Sequence, residues 1–434
     1  MVSNIKSIYA RHKTEHNITL LKQGLSSLNK RINLIRNAKK SIEMEFFIYE
    51  LDTSSRLITH ELIKAAERGV KVRVLVDYSI TVFKLGPEYT KYLNEKNIEV
   101  RYYNTISNSN FIAVQHRNHR KLLIIDEKSV VTGGRNIANE YFDLSPDYNF
   151  LDYDILVKGE ITKDIRDSFF SYWDSDYAST PNFEDNVIHE DFFNDKNTFN
   201  KVLAHLEKNQ DKFKAFEKEY QCNDISYVTD FPGVLVSNRQ VYKRIEKIVN
   251  ESKESIVVES PYLVLREDGL TLIKKTVDRN VQFSILTNGL STTDAYYTSS
   301  ALALKLGEIK ETGLGLAFYR GGTVYNDYSP FHDKVSDWGL HSKRAVIDKK
   351  HTIVGTYNID PRSANLNSEM IIICRNNKVL ADAVLADINL RKEKSDKLDK
   401  NSFKVSSVTK NAQFESKMKF FLSIPVVYFL EFLL

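Results

Sequence analysis

The run His119-Arg-Lys121-Leu-Leu-Ile-Ile-Asp126 decides how this chain of 434 residues is read, because it is written again as His341-Ser-Lys343-Arg-Ala-Val-Ile-Asp348. Both copies are His-x-Lys-x4-Asp. Gly133, Gly134 and Asn136 follow the first; Gly355, Thr356 and Asn358 follow the second, with the same step from His to Asn. On a strand, residues two apart share a face, so each His and its Lys address one volume. The apolar run after Lys121 buries the strand behind them, and the small residues that follow permit a sharp turn that returns the Asn to that volume. One such match is a weak signal; a matched pair with matching downstream residues points to function.

The repetition spreads outward from the motifs. Ala38-Lys-Lys-Ser-Ile-Glu-Met-Glu-Phe-Phe-Ile-Tyr49 alternates apolar and polar residues, and Ser255-Ile-Val-Val-Glu-Ser-Pro-Tyr-Leu263 does so again. Leu62-Ile-Lys-Ala-Ala-Glu-Arg-Gly-Val-Lys-Val-Arg-Val-Leu-Val-Asp77 reads as helix, tight turn and strand. Leu272-Ile-Lys-Lys-Thr-Val-Asp-Arg-Asn-Val-Gln-Phe-Ser-Ile-Leu-Thr-Asn288 is its counterpart. Alternating strands and helices in both halves predict an α/β fold with mixed sheets. The chain divides into a first half at 1–180, a connector at 181–225, a second half at 226–376, and a polar segment with an apolar tail at 377–434. The connector reads as helical or irregular, without strand patterning.

An apolar fraction of 42% suits a protein with a substantial core. The net charge of +4 is too small over this length to mark a nucleic-acid surface. Cys222 and Cys374 have no metal-ligand spacing and read as two ordinary thiols, compatible with a reducing compartment. Residues 1–20 hold no long apolar run and read as neither signal peptide nor membrane span. Residues 420–434 are almost wholly apolar but shorter than the roughly 20 residues a bilayer span needs. Preceded by Lys417 and Lys419, they read either as an interfacial segment or as a tail docked on the protein's own core.

The residue types suit phosphoryl chemistry. One His can attack phosphorus while a second protonates the leaving oxygen, and Lys and Asn can donate to phosphate oxygens. Two half-sites meeting around a pseudo-dyad would supply both.

These residues resemble the phospholipase D superfamily with two such motifs per chain. Gly133-Gly-Arg-Asn-Ile-Ala-Asn-Glu-Tyr-Phe142 and Gly355-Thr-Tyr-Asn-Ile-Asp-Pro-Arg-Ser-Ala-Asn-Leu-Asn-Ser-Glu-Met370 look like its bacterial cardiolipin synthase branch. Ser260-Pro-Tyr262, Thr287-Asn288 and the run from Thr292 to Ala295 are similar to that branch, and the apolar ending resembles that of its shorter type. The resemblance implies a duplicated phospholipase D-like α/β/α sandwich, its halves related by a pseudo-twofold. It implies a phosphohistidine on one of His119 and His341, the other acting as general acid and then base. Lys121, Lys343, Asn136 and Asn358 would hold phosphate oxygens. Glu369 would orient the histidine of the second half and Asp154 that of the first, with Asp152 the weaker alternative. Asp126 and Asp348 complete the motifs as structural partners rather than proton carriers. No metal or cofactor is implied.

The expected reaction is phosphatidyl transfer giving cardiolipin or a related lipid. Hydrolysis to phosphatidic acid, a nuclease-type phosphodiesterase and a non-catalytic membrane-binding protein are the alternatives. Phospholipids and a membrane surface, approached peripherally from the cytoplasmic side, are the expected partners; nucleic acid is not. His116 and His332 fall outside the pattern and read as polar positions. Arg362 and Ser363, after Asp360-Pro361, would contact a headgroup or cap a helix. Most aromatic rings read as core, some lining an acyl-chain groove.

Overall fold

The computed structural model describes residues 8–79, 83–105, 114–181, 196–233, 239–325, 331, 336–399, 401–430 and 434. His332 lies outside them, as do residues 182–195 of the connector.

The strands are, in chain order, β1 Tyr9–His12, β2 His16–Leu21, β3 Ser41–Phe46, β4 Lys71–Asp77, β5 Ile98–Tyr103, β6 Leu122–Ile125, β7 Ser129–Gly133, β8 Tyr148–Leu151, β9 Asp154–Lys158 and β10 Ala178–Ser179. They continue as β11 Glu219–Cys222, β12 Ile225–Thr229, β13 Ser255–Glu259, β14 Gln282–Asn288, β15 Gly315–Tyr319, β16 Asp337–Leu340, β17 Arg344–Ile347, β18 His351–Gly355, β19 Met370–Cys374 and β20 Ser395–Lys397. One nine-stranded sheet runs β10-β5-β4-β3-β6-β7-β9-β2-β11 and the other β20-β15-β14-β13-β17-β18-β19-β12-β1. The two orders are the same, place for place. In each sheet three neighbours are parallel (β3-β4-β5 and β13-β14-β15) and the motif strands β6 and β17 run antiparallel beside them. Parallel neighbours need crossovers, and helices Thr53–Glu67 and Glu267–Asp278 supply the matching ones. The expected α/β fold with duplicated mixed sheets is the fold observed.

The halves exchange their edges. β1 pairs with β12 of the second sheet, whereas β2, next in the chain, pairs with β9 of the first. β11, from the connector, then closes the first sheet against β2. A cut at residue 180 therefore separates neither sheet from the other half's chain. The connector also departs from its expected form, since Glu219–Cys222 alternates exposed and buried residues as an edge strand does. Helices Lys196–Lys208 and Gln210–Ala215 precede it.

The edge exchange corrects the reading of the cysteines. It brings Cys222, on β11, to Cys374, on β19 of the other sheet, as a disulfide with a Cα–Cα distance of 6.1 Å and a sequence separation of 152. Nothing in the local sequence of either cysteine announces its partner, because strand exchange makes the contact. Of its two expected forms the tail adopts the docked one, with one side left exposed. Helix Phe414–Leu430 docks on helix Tyr296–Leu304, burying Phe420 and Val427 and pairing the Ser300 and Ser423 hydroxyls at 2.7 Å. Its other side leaves Phe414, Leu422, Tyr428 and Phe429 exposed. Among the described residues no helix is long and apolar enough to cross a membrane.

Denatured, unreduced protein is expected to show no titratable thiol, and two after reduction. Reduction should lower unfolding free energy by about 2–4 kcal/mol, read as a lower denaturation midpoint. Two thiols without reductant would overturn the pairing.

Candidate active site

Two short backbone contacts hold the halves together beside the motifs. The His341 N–H donates to the Leu151 carbonyl at 3.1 Å, next to a parallel pairing of β8 with β16. On the opposite side the His119 N–H donates to the Ser368 carbonyl at 3.0 Å, and the Ser368 N–H returns to Arg117 at 2.8 Å. The next residue after each carbonyl is acidic: Asp152 and Glu369. Each acid thus arrives beside the histidine of the other half.

The side chains complete the exchange. His119 Nδ1 lies 3.0 and 3.1 Å from the two Glu369 carboxylate oxygens, and His341 Nδ1 lies 2.6 Å from Asp152 Oδ2. A carboxylate at Nδ1 places the proton there and leaves Nε2 as the lone-pair nitrogen. Both rings, both lysines and both acids are buried. Lys121 Nζ donates to the His119 carbonyl at 2.8 Å, and Lys343 Nζ sits 3.1 Å from His341 Nε2. Phe47 meets the His119 ring edge-on at 5.3 Å, while Tyr141 and Phe150 flank His341 at 5.1 and 4.7 Å.

Two expectations about the orienting acids are corrected. Glu369 serves the first-half histidine rather than its own. Asp154 serves neither: it accepts from Ser27, Arg31 and Arg135 at 2.9–3.1 Å and anchors a buried arginine pair. Ladder register explains the error. Gly133 faces Asp154 and Gly355 faces Ile371, so Asp154 matches Ile371 and Asp152 matches Glu369. Residues two apart on a strand share a face, so the sequence presents both acids alike. Gly134 has its own reason: a Cβ there would lie 2.0 Å from Asp152 Oδ1. At the matching place Thr356 donates its hydroxyl to Glu369 instead.

The motif aspartates sit away from this volume. Asp126 accepts from the backbone N–H groups of Lys39, Lys40 and Ser41, and Asp348 from those of Lys253, Glu254 and Ser255, at 2.6–3.2 Å. Burial alone would raise both carboxyls; the clustered donors outweigh it and hold them below their usual value. They staple the turn after the motif strand to the start of its neighbour. The asparagines differ from each other. Asn136 is engaged by the Ile48 N–H at 3.2 Å and the Tyr141 hydroxyl at 2.9 Å. Asn358 Oδ1 is buried with no hydrogen-bond partner among the described residues. His116 is a polar core position, its Nδ1 3.0 Å from the Leu366 carbonyl. Arg362 crosses the seam to Gln115, and Ser363 donates to Glu369 at 2.7 Å while Asp360 caps its short helix. Ser363 and Thr356 are the acid's supports; only their place in the repeat hinted at them.

Burial dominates the electrostatics. It lowers Lys121 to about 7, with the Lys343 ammonium adding to the effect, and Lys343 to about 8 against the pull of Asp152 and Glu369. Burial and the two lysines hold His119 well below its ordinary value. Burial and Lys343 push His341 to about 4 against the pull of Asp152. The two acids part company. Burial raises Glu369 to about 7, whereas His341, Lys343 and Arg135 outweigh burial at Asp152 and keep it ionised. These displaced titrations gather in one buried volume, an arrangement that reactive sites share with buried structural ion pairs.

Halves that complete each other's histidine across a duplicated mixed sheet define the phospholipase D-like class. The chain belongs to the family described as cardiolipin synthase, PLD-like domain, which matches residues 32–173 and 245–386. It is an enzyme of phospholipid metabolism within the phospholipase D superfamily. An uncharacterized protein of Helicobacter pylori strain J99 is 31% identical over 86% of this chain and 80% of its own length. Cardiolipin synthase C of Escherichia coli K12 is 25% identical over 85% and 84%, and cardiolipin synthase 1 of Bacillus anthracis 24% over 90% and 69%. The crystal structure of phosphatidylserine synthase from Haemophilus influenzae Rd KW20 has the same fold, with a TM-score of 0.69, 16% identity and coverage of 96% and 95%.

The corrected acids separate by mutation. Asp152→Asn is expected to lower kcat roughly 10²- to 10⁴-fold in a protein of normal melting temperature, since a wrong tautomer costs about that much. Asp154→Asn should instead destabilise the fold by about 3–5 kcal/mol, by leaving Arg31 and Arg135 buried and unpaired. The reverse pattern, read by turnover and thermal denaturation, would overturn the assignment.

Proposed function

We propose that this enzyme transfers a phosphatidyl group between the headgroup alcohols of glycerophospholipids, with cardiolipin from two phosphatidylglycerols as the product. The observation that carries this reading is the pair of buried imidazoles, each with Nδ1 held by the other half's acid. His119 Nε2 attacks phosphorus; the bond to the leaving glycerol oxygen breaks as His341 supplies that oxygen's proton. His341, now neutral, takes the proton of the incoming hydroxyl. That oxygen displaces His119 from phosphorus and restores both rings. His119 is assigned as the nucleophile because Asp152 pulls His341 upward against burial, to about 4, while His119 is held well below its ordinary value; the bound anionic phosphodiester adds to that pull and lets His341 carry the proton. Lys121, Lys343 and Asn358 are proposed to donate to the phosphate oxygens as negative charge builds there, and Asn136 to brace the first loop. Water in place of the second alcohol would give phosphatidic acid. The names of the cardiolipin synthase relatives support transfer over hydrolysis.

Purified protein incubated with phosphatidylglycerol vesicles is expected to form cardiolipin by mass spectrometry, unaffected by a chelator. His119→Ala and His341→Ala should each abolish it while remaining folded, and a trapped adduct should map to the His119 peptide. Phosphatidic acid alone would make the enzyme a hydrolase. Chelator loss restored by one divalent ion, or normal turnover in either variant, would sink the two-histidine scheme.

The same reading places the protein peripherally on a lipid surface, through the exposed side of helix Phe414–Leu430. Phe421, Leu422, Tyr428 and Phe429 would enter the headgroup layer, with Lys417 and Lys419 toward anionic lipid. The chain end stays at the site: the Leu434 carbonyl accepts from the Arg362 N–H at 2.5 Å. The cytoplasmic side requires Cys222 and Cys374 to be reduced in the cell, since such bonds persist in oxidising compartments. Leu422→Glu with Phe429→Glu should reduce flotation with phosphatidylglycerol vesicles at least tenfold without lowering the melting temperature. Unchanged flotation would remove this helix from the lipid contact.

A further inference from the structure

The shared strand order lets the two cores be compared place by place. Behind His119 and Lys121 the cross-strand partners are Met44 and Leu123, both buried. The matching partners behind His341 and Lys343 are Val258 and Ala345, neither fully buried. On the crossover helix Thr59 is buried and bonded to the Tyr49 and Tyr89 hydroxyls; its counterpart in the repeat is Gly269. Each exchange removes side-chain atoms from the same face of the second sheet.

The result is a cavity of about 140 Å³ beneath helices Gln240–Glu251 and Glu267–Asp278, walled by residues such as Ile245, Ile256, Leu272, Phe283 and Ile285. Glu259 and Arg344 also border it, but strand alternation turns their side chains to the other face, where they pair at 2.7 Å. Lys343 is on the cavity's face: His341, Lys343, Ala345 and Ile347 alternate along one side of the motif strand. The cavity therefore begins where the reactive volume ends. Interiors pack densely, and a void of this size lined by Leu, Ile and Phe stays dry and accepts a hydrocarbon of about six carbons.

We propose that this cavity is a hydrocarbon-chain site, taking a segment of a fatty-acyl chain alongside Lys343. The inference rests on the phospholipid reading for its source of chain, since a free fatty acid offers the same chemistry. It also makes the halves unequal: the second half holds a chain, while the first, filled by Met44 and Leu123, does not.

Val258→Met with Ala345→Leu installs the first half's residues and should raise the melting temperature by filling the void. The full-length native protein is expected to bind cis-parinaric acid saturably, and the double variant at least tenfold more weakly. In turnover, the variant should keep the native rate on dibutanoyl phosphatidylglycerol and show roughly tenfold higher KM on the dipalmitoyl lipid. Weaker probe binding with unchanged KM for both lipids would assign the cavity to free fatty acid. Weaker probe binding in a protein that turns over no lipid would uphold the chain site and reject phosphatidyl transfer. No probe binding by the native protein, or equal binding by a variant whose melting temperature has risen, would overturn the proposal.

Discussion

Everything at the seam depends on two buried hydrogen bonds that run between halves: Glu369 to His119 and Asp152 to His341. Neither half can set the tautomer of its own motif imidazole. Because both partners are buried in each case, a bond left unmade would strand a charge or a polar nitrogen without water, at a cost well above that of an ordinary lost hydrogen bond. The docking of the halves and the readiness of the site are therefore one event. The flanking backbone contacts, His341 to Leu151 and His119 to Ser368, place each acid beside the histidine of the other half.

Several features far from the site follow from that demand. The exchange of β1 and β11 ties each sheet to the other half's chain, and the Cys222–Cys374 disulfide covalently closes the same exchange. Asp126 and Asp348 fix the outer ends of the motif strands, so the residues at the inner ends project into the seam with little freedom. Such stiffness suits the proposed reaction, in which charge builds on phosphate oxygens against donors already in place.

The pseudo-twofold is broken at the site. The proposed mechanism asks for a neutral nucleophile and a protonated acid, and the two carboxyls differ: burial raises Glu369 to about 7, whereas His341, Lys343 and Arg135 hold Asp152 below its usual value. The cores behind the motifs differ as well, packed by Met44 and Leu123 in one half and opened by Val258 and Ala345 in the other. Duplication supplied two of each reactive group, and small departures from symmetry set them apart.

The sequence by itself determined the duplicated α/β fold, the two motifs and the identity of the histidines and lysines. Those readings rest on alternation and spacing along one chain, which a strand translates directly into a shared face. It also marked the tail as an apolar run too short to span a bilayer, while leaving open whether that run docks on the core. Which acid meets which histidine was decided only in three dimensions. Asp152 and Asp154 have the same parity, and the register of β9 against Gly133 chose between them. The crossing of acids between halves, the disulfide over 152 residues and the void behind Lys343 were hidden for the same reason. Each is a contact, or a missing one, between segments remote in sequence, and local patterns record the face a residue presents but not what the fold brings to meet it.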